Sequence, residues 1–299
     1  MKPEIEKAYE YCESVTKLHA KSFYFAAKFL PKHKRKAVYP IYAFCRHVDD
    51  EIDESVDETK AIEAVEKWKL NLEEVYFPAQ TQSGKDQRLK TKDQNLVFLA
   101  WKDLLQNYKI PKNLPLELVE GVLMDTKIKR YETFDELYVY CYRVASTVGL
   151  MSSEILGYSD KIALEYAEAL GIAMQLTNIL RDVREDAAIG RIYLPQEDLR
   201  RFEISEEQIF VNKFDGNFRE MMKFQIARAR DFYAKGEKGI ALLEKDTRFT
   251  VLLASRIYAR ILDEIERQNF DIFIKRAHTT TAQKLSMLPK IWLTARKIS

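Results

Sequence analysis

Two acidic clusters stand out along the chain: Arg46-His47-Val48-Asp49-Asp50-Glu51-Ile52-Asp53 and Asn178-Ile179-Leu180-Arg181-Asp182-Val183-Arg184-Glu185-Asp186. Each carries an aspartate pair at i, i+4, which on a helix sets both carboxylates on one face, about 5 to 6 Å apart at Cβ. Spacing alone discriminates little, since 46 acidic residues in 299 give about seven such pairs by chance. The flanking sequence discriminates more. Ala37 to Cys45 (AVYPIYAFC) and Ala169 to Leu180 (ALGIAMQLTNIL) are uncharged, so both clusters stand near the C-terminal ends of helices that should be buried. Like charges there repel, and a helix C-terminus disfavours anions, so unless the ends simply emerge into solvent, cations must offset both effects. Carboxylates are the ligands that Mg²⁺ takes alongside substrate phosphates, and Asn178, Asp182 and Asp186 form an i, i+4, i+8 ladder of oxygen donors preceded by Gln175. Arg46, Arg181 and Arg191 accompany the acids, and a guanidinium fork matches phosphate oxygens. Metal and arginine together describe a diphosphate site.

Long helices are expected around these clusters, because only 9 Gly and 8 Pro occur in 299 residues. Apolar spacing predicts helices from Pro3 to about Lys28 and from Lys32 to Glu54, the latter kinked or divided at Pro40. Others are predicted at Asn95 to Tyr108, Leu116 to Arg130, Phe134 to Leu156, Lys161 to Asp186, Ser205 to Phe210, Phe214 to Leu243 and Phe249 to Gln268. The polar stretch from Pro78 to Asp93 reads as a loop within one domain. A single all-α domain over residues 1–299, with two central helices carrying chemistry, is the expected architecture.

Composition narrows the partners. A hydrophobic fraction of 46% and a net charge of +2 describe a chain that can bury a large core, which excludes disorder, and give no extended footprint for nucleic acid. Three cysteines without C-x-x-C spacing indicate neither a disulfide framework nor a zinc site, as befits a cytoplasmic protein. The charged N-terminus is not a signal peptide, so the mature chain is expected to begin here. Uncharged runs fall short of the roughly 20 residues that cross a bilayer. Peripheral membrane contact stays open, and oligomeric state is not legible.

Five blocks carry a family resemblance. They are His19-Ala-Lys-Ser-Phe-Tyr-Phe25, Tyr42-Ala-Phe-Cys-Arg-His-Val-Asp-Asp-Glu-Ile-Asp53, Tyr140-Cys-Tyr-Arg-Val-Ala-Ser-Thr-Val-Gly149, Gln175 through Asp186, and Arg191-Ile-Tyr-Leu-Pro195. In this order the chain resembles the squalene/phytoene synthase family from about Tyr11 to Leu293, and within it the bacterial phytoene synthases. The resemblance implies an isoprenoid-synthase-type helical domain with a central cavity. It places Asp49 and Asp53 in a first metal motif and Asn178, Asp182 and Asp186 in a second. It places His19, Lys21, Ser22, Tyr42, Arg46, Gln175, Arg181, Tyr193, Tyr258 and Arg276 around substrate, and gives Tyr140 a part in steering a proton or a cation. Ser146 stands where the family pattern has Gly, and is expected to tighten the cavity slightly.

The implied reaction is head-to-head condensation of two prenyl diphosphates through a cyclopropyl diphosphate, with Mg²⁺, or Mn²⁺ in its place, and without NADPH. Carbocations demand a dry cavity lined by aromatic faces, each worth about 0.5 to 2 kcal/mol. Phe23, Phe25, Tyr42, Phe44, Tyr140, Tyr142, Tyr193 and Tyr258 are the candidates. Ala26 and Ala27 leave room for a long tail, which favours geranylgeranyl diphosphate (C20) over farnesyl diphosphate (C15). The alternatives are a C15-using relative making dehydrosqualene, squalene or presqualene diphosphate, and a non-catalytic helical scaffold.

Overall fold

The computed structural model describes residues 2–53, 55, 57–77 and 92–298, the side chain of Asp53 lying outside that description. Most of the expected Pro78 to Asp93 loop also lies outside the described residues. Among the described residues the regular structure is helical: α1 (Pro3–His19), α2 (Lys21–Ala27), α3 (Lys32–Asp53), α4 (Glu58–Tyr76), α5 (Lys92–Asn107), α6 (Asn113–Lys127), α7 (Phe134–Cys141), α8 (Thr147–Leu156), α9 (Ala163–Ala188), α10 (Gln196–Arg201), α11 (Glu206–Phe210), α12 (Gly216–Glu237), α13 (Lys245–Arg267) and α14 (Thr281–Lys297).

The helices sort around three apolar clusters. Around α3, Phe44 meets Trp68, Phe98 and Trp101 at ring separations of 5.1 to 6.4 Å. Around α9, Ile172, Leu176 and Leu180 pack against Phe218, Met222 and Ile226 of α12. Leu252, Leu253 and Ile257 of α13 close on Ile291 of α14 and Ala26 of α2. Burying such side chains contributes about 1.5 to 3 kcal/mol each, enough to hold α3 and α9 inside despite their charged ends.

Several local expectations change. The first predicted helix breaks at Ala20, whose ψ of 56° is not helical, so α2 sets off as a separate piece. The expected division at Pro40 does not occur; α3 runs unbroken through it, and the Pro40 carbonyl accepts the Trp101 indole N–H at 3.0 Å. Between α7 and α8, Tyr142–Ser146 forms a π-helical turn. Such turns insert one residue into a helix and re-aim the side chains beyond it. Ser146 is fully buried and donates to the Glu168 carbonyl at 2.8 Å. It therefore does not tighten the cavity but packs between helices, against Gly171, where a Cβ would stand 2.5 Å from the Ser146 Cα. Among the described residues no helix is long and apolar enough to cross a membrane.

Candidate active site

A cavity of about 360 Å³, open at one side, runs between α2, α3, α8, α9, α12 and α13. Its walls are mostly small or aliphatic: Ala26, Ala27, Ile41, Gly149, Leu170 and Ala254 are examples. The polar lining gathers where α3 and α9 approach their acidic ends: Tyr42 and Cys45 from the first, Gln175 and Asn178 from the second, with His19 from the end of α1. Cys45 lies one turn before Asp49, and Asn178 one turn before Asp182. The two carboxylate ladders thus continue the two walls of one cavity. That convergence follows from helical periodicity: i, i+4 carries the lining face straight into the acidic face.

Three of the acids, Asp49, Asp50 and Asp182, are paired with arginine. Arg46 donates to Asp50 from Nε at 2.9 Å and to Asp49 from Nη1 at 3.2 Å. Asp182 is held by two forks, Arg181 at 2.7 and 2.5 Å and Arg276 at 2.6 and 2.8 Å. Burial pushes the Asp182 carboxyl up, but the Arg181 and Arg276 guanidinium groups outweigh it and hold the group below its ordinary value. Asp186 goes the other way. Burial, then the negative charges of Asp182 and Asp125, push it up to about 7. Among the described residues no three carboxylate, imidazole or thiol groups converge on one point. The donors themselves fit Mg²⁺: carboxylate and amide oxygens, with an excess of negative charge at Asp186 that a hard cation would relieve.

The remaining expected residues separate into groups. Tyr258 lines the cavity, as do Tyr42 and its stacked neighbour Phe23, the ring centroids 6.1 Å apart. His19 is exposed at the cavity rim rather than a packed core histidine. Lys21 and Ser22 stand in the first turn of α2, outside the lining. Tyr140 and Tyr193 do not line the cavity either. Both are buried, and both donate to one carboxylate, Asp125, at 2.9 and 2.7 Å. Asp125 carried no motif in the sequence; its one signal is a lone acid in an apolar stretch of α6, Gly121-Val-Leu-Met-Asp125. Of the eight aromatic candidates, only Phe23, Tyr42 and Tyr258 face the cavity, and Phe44 belongs to the tryptophan cluster under α3.

Comparison with known proteins agrees with this arrangement. A profile of the family described as squalene/phytoene synthase matches residues 16–283. The chain belongs to the squalene/phytoene synthase family. Its members are prenyltransferase enzymes. The chain is 40% identical to a 15-cis-phytoene synthase of Synechocystis sp., covering 98% of this chain and 86% of that one. It is also 40% identical to a phytoene synthase of Arthrospira platensis, covering 97% and 94%. Among solved structures, a dehydrosqualene synthase in complex with ligand superposes with a TM-score of 0.85 at 29% identity, covering 98% of both chains. A squalene synthase from Alicyclobacillus acidocaldarius gives 0.79 at 25% identity, covering 91% and 97%.

Proposed function

We propose that residues 1–299 act as one catalytic domain that condenses two geranylgeranyl diphosphates head-to-head, through a cyclopropyl diphosphate, to phytoene. Two diphosphates leave, two protons are lost, one on closing the cyclopropane and one in forming the last double bond, and no reductant is consumed. The observation that carries this reading is an apolar cavity with walls on α3 and α9, the two helices that carry the acidic motifs. Relatives at 40% identity named phytoene synthase support the C20 substrate. So do Ala26 and Ala27, which line the cavity with the smallest side chains that leave a wall.

Asp49, Asp53, Asn178, Asp182 and Asp186 are the residues that would hold Mg²⁺. That ion would supply the Lewis acid that turns diphosphate into a leaving group. The arginines act directly. Arg46, Arg181 and Arg276 present forks at the rim, and on substrate entry they exchange carboxylate oxygens for diphosphate oxygens of similar geometry. His19, Lys21, Ser22, Gln175 and Asn178 complete the polar end. Tyr42, Phe23 and Tyr258 offer their ring faces to cationic carbon, and the aliphatic wall excludes the water that would quench it. Tyr140 and Tyr193 act at one remove, through Asp125.

A second reading, a C15 substrate, is favoured by the dehydrosqualene synthase superposition. Incubation of the purified protein and Mg²⁺ with each prenyl diphosphate, with and without NADPH, separates the two by mass spectrometry of the product. A C40 triene formed without NADPH is expected. A C30 hydrocarbon, or a cyclopropyl diphosphate that goes no further, would overturn the substrate assignment. Absence of any diphosphate release would overturn the catalytic one.

A further inference from the structure

The C-terminal segment differs in charge from the rest of the molecule. Residues 272–299 contain no Asp or Glu, while Lys275, Arg276, Lys284, Lys290, Arg296 and Lys297 carry six positive charges in a chain whose net charge is +2. Most of these lie on α14, which presents two faces. Its inner face, Met287, Leu288, Ile291 and Ala295, packs into the cluster with α13 and α2. Its outer face leaves Leu285 52%, Trp292 47% and Leu293 56% exposed. These residues fall at i, i+7 and i+8, one stripe of the helix, with exposed Arg296 between Trp292 and Leu293 and exposed Lys290 and Lys297 along the Leu293 edge. The Arg296 guanidinium lies over the Trp292 ring at 4.4 Å. Apolar area continues at Phe29, which is 42% exposed and rests edge-on against Phe249, 5.2 Å between ring centroids. Arg248, next to Phe249, donates to the Ile298 carbonyl at 2.8 Å and so fixes the end of α14 beside this ring pair. The acids nearby in the chain, Glu244 and Asp246, are about half exposed and both pair with buried Lys34, which offsets part of their charge.

We propose that the outer face of α14, with Phe29 beside it, docks the protein on an anionic lipid bilayer. Leu285, Trp292 and Leu293 enter the boundary between headgroups and acyl chains, and Lys290, Arg296 and Lys297 meet lipid phosphates. Apolar residues on one stripe with cations within it and beside it, and a tryptophan among them, is the pattern that lies flat at a membrane surface. A second copy of this chain is a poor occupant, because pairing the face with itself would oppose two unrelieved sets of positive charge. The position also suits the proposed reaction, on which this purpose rests: Ala26 packs in the cluster that holds Ile291 and lines the cavity as well. The helix that would dock thus packs, through its inner face, on the same cluster that helps to wall the cavity.

Vesicle flotation tests the assignment without turnover, so failure of docking and failure of the proposed reaction are distinguishable. The wild-type protein is expected to bind phosphatidylcholine vesicles containing about 30% phosphatidylglycerol at least about tenfold better than phosphatidylcholine alone, and to lose most of that preference in about 0.5 M salt. Lys290→Glu with Arg296→Glu and Lys297→Glu should abolish the preference, and Leu285→Ser with Trp292→Ser and Leu293→Ser should abolish binding. Unchanged helicity and melting temperature would show that these surface variants are folded. No flotation with anionic vesicles, or wild-type binding by both variants, overturns the proposal. A concentration-dependent dimer in light scattering, lost in the serine variant, would assign the face to a second copy and overturn it too.

Discussion

The two acidic ladders share a spacing but not an environment. At the end of α3, Asp49 and Arg46 are 41% and 34% exposed at the side chain, and one guanidinium serves two aspartates. On α9, Asp182 and Arg181 are 18% and 16% exposed, and two guanidinium forks converge on one carboxylate. Asp49 is partly exposed and screened, Asp182 is more enclosed, so equal charges cost and contribute more on α9. Identical i, i+4 motifs thus divide the work. The α9 ladder is both a candidate metal site and an electrostatic joint that ties Arg276, beyond α13, to the central helix.

The largest effect should come from removing either ladder's charge. Asp49→Asn and Asp182→Asn are each expected to lower turnover about a thousandfold or more with helicity intact. Stability should separate them. Asp182→Asn leaves enclosed Arg181 and half-exposed Arg276 underneutralised and is expected, with solvent screening at Arg276, to cost about 1 kcal/mol, a lower Tm by a few degrees, while Asp49→Asn leaves Tm unchanged. Equal melting curves would erase the proposed difference between the ladders, and near-normal turnover in either variant would remove it from the metal site.

A smaller loss is expected deeper under α9. Asp125→Asn should cut turnover about tenfold, because Tyr140 and Tyr193 lose the carboxylate that orients them. It should also lower the pKa of Asp186, which the Asp125 charge helps to raise. Wild-type kinetics would make that buried triad purely structural. On the cavity wall, Ala27→Phe should shift preference several-fold toward the shorter prenyl diphosphate; unchanged selectivity would place the end of the tunnel elsewhere.

The smallest effect is on pH stability without metal. The fold raises Asp186 from 3.8 to about 7, so it favours the protonated acid. That contribution is complete below about pH 4 and is lost as pH rises through 7, because across this window the folded state holds a proton that the unfolded state has released. The Tm of metal-free protein should therefore gain from Asp186→Asn at pH 7.5 and not at pH 4. Asp182, held below its ordinary value, contributes with the opposite sign, its stabilisation fading only as pH falls through the acidic range. A flat difference between variant and wild type across this range would contradict the raised Asp186.

The α3 and α9 walls were legible because helical periodicity and charge coincide there: uncharged turns run directly into i, i+4 acids. The five sequence blocks added the order in which α2, α3, α7, α9 and the Arg191 segment meet. Three helices went unread: the six-residue α10, and α4 and α14 for different reasons. In α4 the apolar spacing Ala61, Ala64, Val65, Trp68 and Leu72 was present, and its periodic signal is plain in retrospect. In α14 the internal Pro289 and two-sided apolar exposure obscure the period. Asp125 was unreadable because its role depends on Tyr140 and Tyr193, fifteen and sixty-eight residues away. Ser146 was misread for the same reason, its hydroxyl being taken up by Glu168 of the neighbouring helix rather than turned to the cavity.

The central claim is that both ladders act on one diphosphate, and anomalous diffraction from crystals soaked with Mn²⁺ and a thio-substituted prenyl diphosphate tests it directly. The account predicts manganese at Asp49 and Asp53 and at Asn178, Asp182 and Asp186, bridged by the same diphosphate, with the prenyl chain past Ala27. Manganese at only one ladder, or a diphosphate bound away from both, would contradict it.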